Sequence, residues 1–402
     1  MGELTAAEQF LVEYAASAPM LDQVQNWAAI NSGSGNLDGL NAMARLLADA
    51  FAGLPGQPQL VEPAPVTAID REGAERAVGN GRHLHLAVRP SAPLQLLFTG
   101  HMDTVYPADH PFQQLAWRED DILNGPGVAD MKGGIAVMLA ALRALEASPL
   151  SARVGYEVVI NSDEEVGSPA SAGLLAQAAR GKRAALTYEP SALPDGTLAG
   201  ARPGSGNFSF IVSGRSAHAG RNPQDGRNAV VAAADLALRL TALIEPGLTV
   251  NVARMDGGGP NNVVPDHAVL RVNLRPATPE LQAKADSAIT DAVTSVATSH
   301  DVAIHRHGAF GRPPKPMTPS LEQLFGLVAR AGADLGQPIS WQPSGGVCDG
   351  NNIAACGVPV VDTMGVRGGA IHSAEEYLIV SSLAERAALS ALTIARLAQE
   401  AA

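Results

Sequence analysis

The chain has 402 residues, 46% hydrophobic and 17% charged, enough to bury a large core and too apolar for a disordered chain. Lys and Arg total 28 against 40 Asp and Glu, and the resulting charge of −12 argues against a nucleic-acid backbone as main partner while suiting bound cations. Only two cysteines, Cys348 and Cys356, are present, which excludes a disulfide framework and a four-thiolate zinc site. Their expected role is that of small buried hydrophobes, and a reducing cytoplasm is the expected compartment.

From the N-terminus, the segment Met1 to Pro19 carries Glu3, Glu8 and Glu13 among its apolar residues and lacks the basic start and unbroken apolar stretch of a signal peptide. Apolar runs such as Ile135 to Leu142 stop early, here at Arg143, so no membrane association is expected. His83 and His85 alternate along one extended stretch, as do His305 and His307, and are expected to be solvated strand residues. Leu94 to Phe98, Val154 to Ile160, Ala184 to Thr187 and Val358 to Val361 read as buried parallel strands. Between them lie helical patterns at Gly134 to Glu146 and at Ser168 to Arg180, the latter with Pro169 at its first position. Strands alternating with helices predict an α/β catalytic domain around a central mixed sheet.

From Asn207 the rhythm changes. Strand Phe208–Val212, helix Arg227–Ile244, strands Leu248–Met255 and His267–Leu274, helix Pro279–Ser299 and strand Val302–His307 follow in a ferredoxin-like βαββαβ order. Pro203-Gly204-Ser205-Gly206 and Gly311-Arg312-Pro313-Pro314-Lys315-Pro316 read as linkers on either side. The expected organisation is a catalytic domain in two parts, 1–203 and 313–402, with an inserted domain at 204–312.

Open α/β sheets collect ligands at the carboxyl ends of their strands. There the sequence places His101 and Asp103, then Asp130 in a glycine-rich loop, then Asp163, Glu164 and Glu165, then Glu189, and finally His372. Imidazoles and carboxylates together suit zinc, cobalt or manganese, and the number of ligands is enough for two ions with one carboxylate between them. Gly125-Pro126-Gly127 does not open a helix directly after a strand, which argues against a dinucleotide fingerprint, and no G-x-S-x-G nucleophile elbow is present. Gly257-Gly258-Gly259 leads into Pro260-Asn261 and reads as a loop that places Asn262, not as a phosphate loop.

His101-Met102-Asp103-Thr104-Val105, Gly127 to Gly134, Ser162 to Ser168 and Ser216-Ala217-His218-Ala219-Gly220 resemble, in order, the signatures of the M20 metallopeptidase family. The most similar branch is the glutamate carboxypeptidase (carboxypeptidase G) type, with acetylornithine deacetylase, succinyl-diaminopimelate desuccinylase and aminoacylase as relatives. The resemblance implies two divalent metal ions, zinc foremost with cobalt or manganese as alternatives. It implies Asp130 as the bridging carboxylate, His101 and Glu189 on one ion, and Glu165 and His372 on the other. Asp103 resembles the acid that fixes the His101 ring, and Glu164 the general base that activates water and later protonates the leaving nitrogen. His218 resembles an oxyanion donor supplied by the inserted domain of a second subunit, so a homodimer through that domain is implied.

For the free carboxylate of the substrate, Arg275 and its companion Asn262 resemble the family's recognition pair, and Ser344-Gly345-Gly346 resembles a loop that lets substrate approach the backbone at Gly346. Arg202 reads either as a further contact for an acidic substrate group or as a solvated linker charge. Ser191 to Leu198 has no Lys or Arg where a strict glutamate carboxypeptidase is expected to place a base, so a deacylase of other N-acyl amino acids stays open. A non-catalytic metal- or peptide-binding homodimer is the alternative from a different class. The inserted domain carries His218 and Arg275 while the other residues sit on the catalytic domain, so the linkers are expected to act as hinges.

Overall fold

The computed structural model describes residues 4–400; residues 1–3 and 401–402, the outermost ends of the first and last predicted segments, lie outside it. A six-stranded sheet forms the centre, in the order Gln59–Val61, His83–Val88, Val154–Asn161, Leu94–His101, Ala184–Thr187, Val360–Val361. The first three are joined by antiparallel pairing and the last four by parallel pairing, so the sheet is mixed. The four parallel strands point their carboxyl ends to one edge, which is where the site forms.

Helix Gly134–Glu146 is built almost wholly of Ala, Leu, Ile, Val and Met and is buried along nearly its whole length. It packs between helices Ala6–Ala16 and Ser382–Glu400, which explains why it reads as apolar on every face. Its opening glycine is a packing requirement: a Cβ on Gly134 would lie 1.9 Å from the carbonyl oxygen of Tyr188, the residue before Glu189. The helix expected from Ser168 starts later, at Ala172, and ends at Ala179. Ser168 has φ 59 and its carbonyl accepts the N–H groups of Ser171 and Ala172, so a turn precedes the helix.

A separate four-stranded antiparallel sheet runs in the order Leu248–Gly257, His267–Pro276, Ser205–Ser213, Ala303–Arg312. Helices Ala229–Thr241 and Pro279–His300 pack on it around Phe208, Phe210, Leu236, Leu270 and Ile289. The second helix opens on Thr278, whose hydroxyl accepts the Leu281 N–H, with Pro279 at its first position. The strands are longer than their apolar runs suggest. Ser205, Gly206, Gly311 and Arg312, read as linker from their glycines, lie within paired strands, because the neighbouring strand supplies hydrogen bonds that override local turn propensity. Among the described residues no helix is long and apolar enough to cross a membrane.

Two expectations for single residues fail. His83 is 1% exposed, its Nδ1 3.3 Å from the Ser162 N–H nitrogen, whereas His85 pairs with Glu157 at 2.7 Å. Cys348 is buried but Cys356 is exposed, so the hydrophobe reading holds for only the first.

Candidate active site

His101 ends its strand with the imidazole buried, and its Nε2 lies 3.0 Å from Asp130 Oδ1 and 3.6 Å from Glu189 Oε2. His372 approaches from the other side, its Nε2 3.3 Å from Asp130 Oδ2 and 3.2 Å from Glu165 Oε2. Each oxygen of Asp130 therefore faces a different imidazole, with Glu189 beside one and Glu165 beside the other. Ligand atoms of His101, Asp130 and Glu165, and separately of His101, Glu164 and Glu189, lie within 4.8 Å of one another.

The chain fixes these side chains with backbone contacts. His101 Nδ1 is 2.9 Å from the Asp103 carbonyl oxygen and 3.4 Å from its carboxylate. The Asp103 carboxylate accepts the N–H groups of Glu164 and Glu165, each at 3.1 Å, and the Ser34 hydroxyl at 2.8 Å. One buried acid thus orients the first imidazole and the tandem glutamates together. Glu376, which no sequence pattern singled out, does the same for the Asp130 loop: it accepts N–H groups of Gly127, Ala129 and Asp130 and the Tyr106 hydroxyl. Burial, with the Asp130 charge adding to it, pushes the Glu376 carboxyl up to about 7.

The cluster packs carboxyls and imidazoles closely enough to shift one another's titration. Burial, reinforced by the charge of Asp130, pushes Glu165 up to about 8, and burial raises Glu189 to about 8 as well. Burial alone would lower His101, but the charge of Glu189 and bonds to Asp103 and Asp130 carry it well above its ordinary value. Bonds to Asp130 and Glu165 raise His372 to about 10. Burial opposes ionisation of Asp130 too, yet its contacts with both histidines hold it low. Four carboxylates and two imidazoles crowded at these distances compete for protons. Bound dications would replace those protons, and the mixed nitrogen and oxygen donors suit a divalent metal ion.

The cluster lines a cavity of about 250 Å³ whose wall also carries Arg202, Gly346, Cys348 and Ile371. Arg202 is 7% exposed, which overturns the solvated reading. Its guanidinium forms a two-pronged pair with Asp362, at 2.8 and 3.0 Å, and donates to the Gly346 carbonyl. Lys315, fully buried, lies 2.6 Å from the same carboxylate, so two cations share one anion. Arg275 donates to the Gly345 carbonyl at 2.9 Å, next to the cavity wall. His218 and Asn262 are exposed and sit together, joined by the Ala219 N–H to Asn262 carbonyl bond, and neither lines the cavity. A larger cleft, about 640 Å³, lies between the Val66–Ile69 hairpin and the four-stranded sheet, and it contains none of the cluster's histidines or carboxylates.

Comparison with known proteins gives a consistent result. The profile of peptidase family M20/M25/M40 matches residues 97–396. Carboxypeptidase G2 of Pseudomonas sp. (strain RS-16) is 30% identical over 315 residues, covering 74% of this chain and 73% of that protein. Succinyl-diaminopimelate desuccinylase 1 of Alteromonas mediterranea is 30% identical over 335 residues, covering 77% of this chain and 83% of that protein. Among solved structures, the M20 family metallo-carboxypeptidase Sso-CP2 from Sulfolobus solfataricus superposes with a TM-score of 0.72 at 15% identity, over 95% of this chain and all of that one. The Bacillus subtilis YXEP protein, described as a dinuclear metal binding peptidase, superposes with a TM-score of 0.64 at 14% identity, over 97% of this chain and 99% of that one. The chain belongs to peptidase family M20/M25/M40 and is an enzyme of the metallopeptidase and amidohydrolase type.

Proposed function

We propose that this enzyme hydrolyses the amide bond of an N-acyl amino acid or small peptide that ends in a free carboxylate. The observation that carries the reading is the split of Asp130 between two imidazoles, each flanked by a further carboxylate. His101, Asp130 and Glu189 would hold one divalent cation and His372, Asp130 and Glu165 the other, with zinc the first choice and cobalt or manganese next. Such cations supply Lewis acidity toward water and toward the scissile carbonyl. Glu164, adjacent to a ligand but bonded to Arg312 rather than to a histidine, takes a proton from the attacking water at its carboxylate. It then delivers that proton to the leaving nitrogen.

Recognition of the substrate carboxylate falls to Arg275 and Arg202. Arg202 lines the cavity, and its two-pronged pair with Asp362 holds the guanidinium in place there. Gly346 lets the substrate lie close to the backbone. His218 and Asn262 lie outside the cavity of their own chain, so we assign them to the cavity of a second copy, in a homodimer formed through residues 204–312. That segment would act as lid as well as dimerisation domain, between catalytic parts 1–203 and 313–402, in a cytoplasmic protein. The absence of Lys or Arg in the wall segment after Glu189 favours a range of amino acids over glutamate alone.

The test is a mass-spectrometric screen of the zinc- or cobalt-loaded protein against N-acyl amino acids, dipeptides and folate-type glutamates, with Glu164→Ala as blank. Release of a free amino acid that the blank does not produce is the expected result. Equal release by the blank would refute the role of Glu164. Silence across the panel with two metals bound would refute the substrate class.

A further inference from the structure

Arg312 is the last residue of its strand and is 4% exposed, with its side chain directed away from its own sheet into the cluster of carboxylates. Its Nη1 donates to Glu164 Oε1 at 2.5 Å, and its Nη2 donates to the Glu164 carbonyl oxygen at 2.8 Å. The same Nη2 reaches Ser168 Oγ at 3.1 Å and lies 3.6 Å from Asp349 Oδ1. Asp349 is itself fixed by the Ser168 hydroxyl and by the Asn161 side-chain amide. Among the described residues Arg312 Nε has no hydrogen-bond partner, so the contacts of the guanidinium run through its two terminal nitrogens.

Glu164 has two courses open to it. Its carboxylate lies within 4.8 Å of ligand atoms of both His101 and Glu189, a set that could itself hold a metal ion. A carboxylate that ligates a cation is no longer free to take a proton from water. Asp103 fixes only the backbone N–H of Glu164, and no other protein group binds Oε1 among the described residues.

We propose that Arg312 is a positioning residue that holds the Glu164 carboxylate off the cations and thereby keeps it a base. The inference rests on the reading of Glu164 as base. A planar guanidinium can grip the carboxylate and the carbonyl of one residue at once, which a single ammonium cannot do with the same geometry. Delivery from the four-stranded sheet also means that the base is held by a residue outside the sheet that carries it.

The experiment compares cobalt-loaded wild type with Arg312→Ala, Arg312→Lys, Glu164→Ala and the Arg312→Ala, Glu164→Ala double variant. Two readouts are taken: the visible cobalt spectrum, which follows coordination number, and kcat and KM on the best substrate of the panel. For Arg312→Ala the expected result is a changed cobalt spectrum that the added Glu164→Ala change restores. Alongside it, kcat falls about 100-fold, as for a displaced catalytic group, with KM nearly unchanged and with partial recovery on adding guanidinium ion. Arg312→Lys should fall between, and it carries the test if the alanine variant does not fold. A wild-type spectrum in the folded Arg312 variants overturns the inference, whatever the substrate panel yields. Full turnover by Glu164→Ala overturns instead the reading of the base, and the spectrum then still reports whether Arg312 keeps Glu164 off the metal.

Discussion

Loading the metal-free protein with two equivalents of zinc should expel protons, and the number follows from the cluster. At pH 7 the carboxyls of Glu165 and Glu189, pushed up to about 8, are each about nine-tenths protonated. His372, raised to about 10, and His101, well above its ordinary value, carry their protons too. All four must lose them to become ligands, so zinc binding at pH 7 releases about three to four protons per chain. At pH 9 the two carboxyls are mostly ionised, so the release falls by about one to two protons. Isothermal calorimetry in three buffers of different ionisation enthalpy gives the number as a slope at each pH. Apparent zinc affinity should rise steeply with pH over the same range. A slope near zero at pH 7, or one that does not fall between pH 7 and 9, would refute the account of the cluster as a proton-filled cation site.

The same shifts set the stability of the metal-free protein. Glu165 and Glu189 titrate higher in the fold than in the unfolded chain, so the folded state holds protons that the unfolded state has released; the contribution is full below the unfolded value of about 4.3 and is lost as pH rises toward about 8. Thermal midpoints in chelator should therefore fall from pH 5 to pH 8, and a rise would contradict this. Gly134→Ala drives a methyl to 1.9 Å from the Tyr188 carbonyl and should shift the chain that carries Glu189, costing about 1–3 kcal/mol or more and weakening zinc retention; a wild-type midpoint and zinc content would show that the close approach is not binding. Asp362→Asn leaves Arg202 and Lys315 buried without their shared anion, which should cost about 3–5 kcal/mol in urea unfolding, against well under 1 kcal/mol if the three charges are not coupled.

What could be read from the sequence followed from chain-local rules. Parallel strands announce themselves as short apolar runs, and what lies at their carboxyl ends is where ligands collect, so His101, Glu164, Glu165 and Glu189 stand out before any fold is known. The structure brings them together with Asp130 and His372. Element ends were less legible. Gly311 and Arg312 look like linker by composition, but pairing with Ser205–Ser213 keeps them in the strand, and that pairing partner is about 100 residues away.

The residues that escaped notice share one property: their role is defined by a partner distant in sequence. Arg312 meets Glu164 across 148 positions and Glu376 meets Asp130 across 246. For Arg202, between Ala201 and Pro203, the sequence leaves a substrate contact and a solvated linker charge both open and gives no sign of its buried partner Asp362, 160 positions on. His83 misled for the same reason, since an alternating histidine in a strand gives no sign of which face is covered until the 162 loop closes over it. Burying a charge is costly unless it is paired, so Arg312, Glu376 and Arg202 each imply a partner, but only folding says which. It follows that the residues proposed as metal ligands are the easier half of such a site to find. The groups that hold them in place, and that a specificity or rate change would have to respect, emerge only when the strands are set side by side.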